Sequence, residues 1–407
     1  MKKFISLSLV WAVVLTFILS GCQKTEVMEP VDETESIDQM GLKIGDVVPG
    51  NYIVVLQDNE NIQALQAASN DLTLLREAVL ELAQPALQRH SIDPAGITMV
   101  YGKVLTGFAI EMTAEQARVL AGDRDVKYVE PDRLLGLIPV PDLKKKPPPP
   151  PPPGQVTPWG IARVGGVQTF SGNGKAWVID TGVDLDHPDL NVNVTESISF
   201  VPSDLSPDDK NGHGSHVAGT IAAINNSFGV IGVAPGATVV SVRVLNRQGS
   251  GFYSWIIAGV DYVGVNADPD DVANMSLGGG YYQTLNEAVL TASANCKFSL
   301  AAGNEADDAG NYSPGSTEGP NVYTVSAMQE GNIWAWFSNF SGTGGPVDYC
   351  APGVSVYSCY KGGGYATMSG TSMAAPHVAG ILLLGNVGSD GTVIGDPETP
   401  ADPIAHH

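Results

Sequence analysis

The stretch AWVIDTGVDLDHPDL, residues 176–190, decides the fold. Ala176, Trp177, Val178 and Ile179 form a short apolar run, and Asp180, Thr181 and Gly182 end it. A run bounded in this way reads as a strand buried on both faces. Runs of the same kind return at 239–244, 272–277, 298–302 and 322–327. Between and around them, 213–224, 254–264, 284–294 and 372–384 carry helical spacing. This alternation predicts an α/β domain over residues 154–407, a mostly parallel sheet with helices on both faces. Sites in such sheets form at the carboxyl ends of the strands. Asp180 stands at one such end and Asn304 just beyond another.

The N-terminal part has a different pattern. Tyr52–Leu56 reads as a strand. Asp71 then precedes Leu72, Leu75, Val79 and Leu82 at helical spacing, and Pro85 is expected to end or bend that helix. Strands follow at 98–101 and 107–110, a capping box at Thr113 and Gln116 opens a second helix, and 126–129 gives a last strand. The order β-α-β-β-α-β predicts a small α+β, ferredoxin-like domain over residues 50–133. Residues 134–153 read as a linker, because Lys144–Lys146 lead into the unbroken run Pro147–Pro153. Such a run forms a stiff polyproline II spacer of about 3.1 Å per residue. An SH3-type ligand is its less economical reading.

At the start of the chain, Lys2 and Lys3 precede an apolar stretch from Phe4 to Leu19. This is an export signal, too short to read comfortably as a membrane span. It ends in Leu19-Ser20-Gly21-Cys22, which looks like a bacterial lipobox with Cys22 as the lipidated residue. Residues 1–22 are therefore expected to be a lipoprotein-type signal peptide; an ordinary signal with a chance Cys is the alternative. The polar, acidic residues 23–49 read as a flexible tether. Membrane contact is expected only through that lipid, before processing.

Lys and Arg number 21 against 43 Asp and Glu, a formal charge of −22, which argues against nucleic acid as a partner. Without Cys22, Cys296, Cys350 and Cys359 remain. They permit at most one disulfide within the chain, and buried free thiols are the expectation.

Three blocks carry the chemistry: the stretch around Asp180, HGSHVAGT at 213–220 and SGTSMAAPHVAG at 369–380. They supply an acid, an imidazole and a hydroxyl. A carboxylate held at a strand end can fix a His tautomer. A His that titrates near neutrality can take a proton and return it. Ser372, opening a helix among small residues, sits where free N–H groups meet a developing negative charge. Taken singly, Asp180 is a turn residue, Asn304 a turn residue after Gly303, and Gly370-Thr371-Ser372 a loop. His213 and His216 also have a spacing that suggests a metal, but no Glu lies between them as in the His-Glu-x-x-His zincins.

With Gly370-Thr371-Ser372-Met373-Ala374 and His213-Gly214-Ser215-His216, the chain resembles the subtilisin-like serine proteases, nearest the proteinase K branch, made as a preproenzyme. The order Asp…His…Ser fits that family and neither the chymotrypsin nor the α/β-hydrolase order. The resemblance implies that Ser372 is the nucleophile, His213 the general base, Asp180 its orienting acid and Asn304 the oxyanion donor, with His216 structural. Ser215 stands where the family usually has Thr, with no functional consequence expected. Gly249-Ser250-Gly251 and Ser276-Leu277-Gly278 are implied to sandwich an extended polypeptide substrate, and Tyr253 to wall a distant subsite. Gln155, Asp189 and Asn226, with the carbonyls of Ile224, Phe228 and Val230, correspond to the family's strong calcium site, and all-oxygen ligation suits a structural Ca²⁺. Residues 50–133, closing on Tyr128-Val129-Glu130-Pro131-Asp132, resemble the family's inhibitor prodomain. It is expected to block its own enzyme until a cut within about 134–154. A cis bond at Ser313–Pro314 and a monomer are also expected. The rivals are a catalytically dead peptide-binding relative and a metal-binding surface lipoprotein using His213 and His216.

Overall fold

A computed structural model of the protein describes residues 41–137, 140, 154–342 and 345–407. The signal peptide with Cys22, most of the tether and the proline run lie outside the described residues. Among the described residues no helix is long and apolar enough to cross a membrane.

The first unit runs β1 (Val47–Leu56), α1 (Glu60–Ala68), α2 (Leu72–Arg89), β2 (Ile97–Tyr101), β3 (Gly107–Glu111), α3 (Ala114–Leu120) and β4 (Val126–Gly136). Its strands lie in the order β2-β3-β1-β4, every neighbour antiparallel, which is the expected split βαβ arrangement. Thr113 and Gln116 form the anticipated capping box. Helix α2 does not end at Pro85; it continues to Arg89. The ring removes the donor to the Glu81 carbonyl, but Glu81 is exposed, and Val79, Ala83, Ala86 and Leu87 are buried on the other side. Apolar packing of that face holds the helix across the lost hydrogen bond.

Alternation along β1 divides the work of the sheet. Val54 and Leu56 face the helices with Val79, Leu87 and Phe108. Ile53 faces the opposite way, into the core of the second unit with Tyr101 and Ala109. The two units therefore share one apolar interior.

The second unit begins with α4 (Trp159–Arg163) and β5 (Lys175–Asp180), followed by β6 (Asn191–Val192), β7 (Ile198–Ser199), α5 (His213–Ala222), β8 (Thr238–Arg243) and β9 (Ser250–Phe252). Next come α6 (Tyr253–Asn266), β10 (Val272–Met275), β11 (Gly279–Gly280), α7 (Gln283–Ala292), β12 (Lys297–Ala301), β13 (Tyr312–Ser313), β14 (Val322–Gln329) and β15 (Ile333–Trp334). The chain closes with β16 (Val347–Pro352), β17 (Val356–Tyr360), β18 (Gly364–Met368), α8 (Thr371–Leu384), β19 (Gly388–Thr392) and β20 (Pro403–His406).

The main sheet has the order β19-β20-β16-β14-β12-β10-β5-β8-β6. From β6 to β20 its neighbours are parallel, and only β19 and the side strand β15 run antiparallel. Within β5, Trp177 and Ile179 face α6 and α7, whereas Ala176 and Val178 face α5 and α8. All four are completely buried; each large apolar side chain among them contributes roughly 1.5–3 kcal/mol. The chain passes from β5 to β8 on one side, then returns across β5 to β10 and continues outward. That reversal opens a crevice at the carboxyl ends of β5 and β10. The α/β expectation holds. Cys296, Cys350 and Cys359 are buried free thiols, and the Ser313–Pro314 bond is cis.

Candidate active site

Asp180 ends β5 and His213 begins α5, both buried. His213 Nδ1 lies 2.8 Å from Asp180 Oδ1 and 3.0 Å from Oδ2. A carboxylate accepts only, so this contact puts the imidazole proton on Nδ1 and leaves Nε2 free to take another. Close approach needs glycine here. A Cβ on Gly214 would fall 2.0 Å from the Gly182 carbonyl oxygen, and one on Gly212, at φ 111°, would fall 2.2 Å from the Tyr360 ring. His216 points elsewhere: its Nε2 lies 3.0 Å from the Val356 carbonyl, and burial lowers its pKa to about 3. The two histidines thus have separate partners, and no cluster of three or more His, Cys, Asp or Glu suited to a metal occurs among the described residues.

Ser372 lies in the first turn of α8, after Gly370 at φ 150°. Its hydroxyl donates to the Ser276 carbonyl at 3.2 Å, and the Ser276 hydroxyl donates back to the Ser372 carbonyl at 2.8 Å. Asn274 Nδ2 donates to Ser276 Oγ at 2.9 Å. Asn304 Oδ1 accepts from the Thr371 N–H at 2.9 Å and the Thr371 hydroxyl at 3.0 Å. Those donors fix which end of the amide faces away. The structure thus joins Asp180 to His213, and Ser372 to Ser276, with Asn304 held at the neighbouring Thr371. Helices α5 and α8, which carry His213 and Ser372 in their first turns, pack against each other.

The implied peptide-binding strands are already occupied by this chain. The last strand of the first unit, read from sequence at 126–129, runs on to Gly136. Leu134, Leu135 and Gly136 pair antiparallel with Phe252, Gly251 and Ser250. The Leu137 N–H donates to the Gly249 carbonyl at 2.8 Å, and the Gly278 N–H donates to the Gly136 carbonyl at 3.2 Å. Gly249–Gly251 and Gly278 therefore flank one extended segment. Tyr253 is buried, stacks on Tyr282 with centroids 4.1 Å apart, and donates to the Gly280 carbonyl at 2.7 Å.

Neither α6 nor α7 has a side-chain cap of its own. Asp132 Oδ1 accepts from the Ser254 N–H at 3.3 Å, and Glu130 accepts from the N–H and hydroxyl of Thr284. In return Asp261 of α6 accepts from the N–H groups of Gly102, Lys103 and Val104 at 2.7–3.2 Å. Burial pushes Asp132 up to about 6 and shifts Asp261 in the same direction.

The Subtilase family model matches residues 176–386, and the Peptidase inhibitor I9 model matches residues 51–137. The chain belongs to the Subtilase family. It is a serine-type endopeptidase acting on polypeptides, and its I9 segment suggests a zymogen inhibited by its own chain. The subtilase is 34% identical over 401 residues to alkaline serine exoprotease A of Vibrio alginolyticus, covering 94% of this chain and 70% of that protein. It is 39% identical over 291 residues to subtilisin E of Bacillus subtilis (strain 168), covering 69% and 71%. It also matches the crystal structure of a cold adapted subtilisin-like serine proteinase, at 40% identity and TM-score 0.49, over 56% of this chain and 83% of that one.

Away from the cleft, the subtilase gathers the implied calcium residues. Asp189 is buried; its Oδ1 accepts from Asn226 Nδ2 at 2.7 Å and its Oδ2 from the Val230 N–H at 2.9 Å. Gln155 Nε2 donates to the carbonyls of Ile224 and Val230 at 2.7 and 3.1 Å. The Phe228 N–H donates to Asn226 Oδ1 at 2.9 Å. The Tyr365 hydroxyl also donates to Asp189 Oδ2 at 3.3 Å, and burial raises the Asp189 pKa. A buried carboxylate facing amides and carbonyls fits a hard cation, because turning either amide exchanges its nitrogen for an oxygen.

Two supporting residues of the subtilase escaped sequence reading. Thr371 was read only as part of a motif, although its hydroxyl holds Asn304. Asp209 was not singled out. Its signal was an Asp placed before Asn211-Gly212 at a helix start, the ordinary setting of a cap.

Proposed function

We propose that this subtilase hydrolyses peptide bonds through an acyl-enzyme on Ser372. Ser372 Oγ attacks the substrate carbonyl while His213 Nε2 takes the hydroxyl proton. Asp180 holds the Nδ1 proton and stabilises the imidazolium without taking it. The tetrahedral oxyanion receives the Asn304 amide and the Ser372 N–H. Collapse returns the proton to the leaving amine, and water repeats the sequence to free Ser372 and the acid product. Residues 249–251 and 276–278 grip the substrate backbone, and Tyr253 lines an outer subsite.

The observation that carries this reading is segment 134–137, an extended strand held between residues 249–252 and Gly278. The prodomain blocks its own enzyme in the manner of a substrate, and a cut in the 134–154 region converts the zymogen. Gln155, Asp189, Asn226 and the carbonyls of Ile224, Phe228 and Val230 would hold one structural Ca²⁺, which supplies charge compensation to Asp189 and no chemistry to the reaction. We place the enzyme outside the cytoplasm, anchored by lipid at Cys22 until processed and monomeric afterwards, and near the proteinase K branch on its motif blocks.

A fluorophosphonate probe tests the reaction. Labelling at Ser372, lost in Ser372→Ala together with casein hydrolysis, is the expected result. Hydrolysis that survives Ser372→Ala would overturn it.

A further inference from the structure

We propose that Asp209 is the positioning residue of the Asp180–His213 pair, a buried carboxylate that locks the end of β5 to the first turn of α5. The inference rests on the triad reading above and adds to it a group that touches no substrate.

The Asp180–His213 contact joins residues 33 apart in sequence. The connection between them is long, so it does not by itself hold the two side chains in register. Asp209 does so from both sides, and it is only 4% exposed. Its Oδ1 accepts from the Thr181 hydroxyl at 3.0 Å, the Asn211 N–H at 2.8 Å and the Gly212 N–H at 2.7 Å. Its Oδ2 accepts from the Ser215 N–H at 3.0 Å and the Ser215 hydroxyl at 2.6 Å.

Each donor belongs to one half of the pair. Thr181 follows Asp180 directly, and its N–H donates to Asp180 Oδ1 at 2.7 Å. The Thr181 hydroxyl also accepts from the Gly214 N–H at 3.0 Å. Gly212, Gly214 and Ser215 surround His213 at the helix start. A carboxylate there satisfies the free N–H groups of the first turn and opposes the positive end of the helix. Ser215 closes the circuit, because its hydroxyl accepts from the Asp184 N–H at 2.9 Å. The hydroxyl at position 215 therefore has a task that its place in the motif did not reveal.

An amide in place of this carboxylate would turn an NH₂ towards N–H donors whichever way it is rotated. Asp209→Asn should therefore shift α5 against β5, and misplacement by about 1 Å can cost on the order of 100-fold in rate. Purified full-length chains, matured under the same conditions, provide the test, with rates normalised to sites titrated by fluorophosphonate. Asp209→Asn is expected to lower kcat about 10- to 100-fold with little change in KM, and to slow Ser372 labelling in parallel. Thr181→Val should lower kcat in the same direction. The double variant should lose less than the product of the two effects, since both act through one linkage. Ser215→Ala should lower kcat, and Ser215→Thr, which keeps the hydroxyl, should preserve it.

Unchanged kcat per titrated site in Asp209→Asn and Thr181→Val, with only the melting temperature lowered, would overturn the proposal. If Asp209→Asn fails to mature, Thr181→Val and Ser215→Ala decide: wild-type kcat in both overturns it. Failure of the wild-type chain to label at Ser372 would instead strike the triad reading, so the two failures are distinguishable.

Discussion

The Ser276 hydroxyl donates to the Ser372 carbonyl at 2.8 Å, and that carbonyl is the one that Pro376 leaves without a helical partner. Proline has no N–H to return to the residue four positions earlier. Ser276 supplies the missing donor from the next strand end, at the residue proposed as nucleophile. Ser276→Ala should leave this buried oxygen unpaired at a cost of about 1–3 kcal/mol. A melting temperature lowered by several degrees is expected, with labelling at Ser372 slowed. An unchanged melting curve would show that water replaces the hydroxyl.

Asn304 offers its Oδ1 to Thr371, which directs its remaining amide hydrogens elsewhere. Asn304→Ala should reduce kcat by about 10²–10³, a magnitude measured on a subtilisin, while KM changes little. Steady-state kinetics on a chromogenic peptide decide this. A loss confined to KM would place Asn304 in ground-state binding instead.

Asp132 gives the interface between the two units a pH dependence. Its ordinary value is 3.8 and burial at the interface raises it to about 6. Docking therefore takes up a proton. The stabilisation is complete below about pH 4 and is lost as the pH rises through 6. A difference of about two pH units corresponds to on the order of 100-fold in the docking constant. Asp261, also raised by burial, acts in the same direction. Zymogen held at pH 5 should stay latent longer than zymogen held at pH 8, when aliquots are assayed at one common pH. Faster activation at pH 5 would reverse the sign and refute this account.

Asp189 predicts a stability that depends on calcium. Binding at 100 times Kd adds about 2.7 kcal/mol to the folded state. Chelator should lower the melting temperature of the mature enzyme by several degrees, and Asp189→Ala should remove the difference between chelated and loaded samples. An identical melting point with and without chelator would exclude a stabilising site.

Much of this fold was legible because its signals are local. The run Ala176–Ile179 is a strand on apolarity alone, and Thr113 with Gln116 opens a helix by two reciprocal bonds. Helix α1 has no apolar stripe, since Ile62 is its only buried residue, and its local signal, the Asn59 cap, was not read. Strand β19 is exposed throughout and carries no alternation to read. Pro85 misled because burial of one face outweighed one lost hydrogen bond. At the site, the Asp180, His213 and Ser372 blocks were visible as motifs. Thr371 and the Ser276 hydroxyl act through partners distant in sequence, and so does the link from Asp209 to Thr181; no spacing rule reports such partners. The motif Glu130-Pro131-Asp132 was legible as a family ending, but its role as a donated pair of caps depends on where α6 and α7 begin.

Those donated caps also bear on how long the separated enzyme lasts. Once residues 130–132 depart, the first turns of two central helices face solvent with no side chain of their own to meet them. Water can satisfy those groups, but it gives the helix starts no fixed geometry to form against. If the first unit is cut away as proposed, the helix starts that it caps lose those partners, and the separated enzyme is expected to open faster at α6 and α7 than the uncut chain.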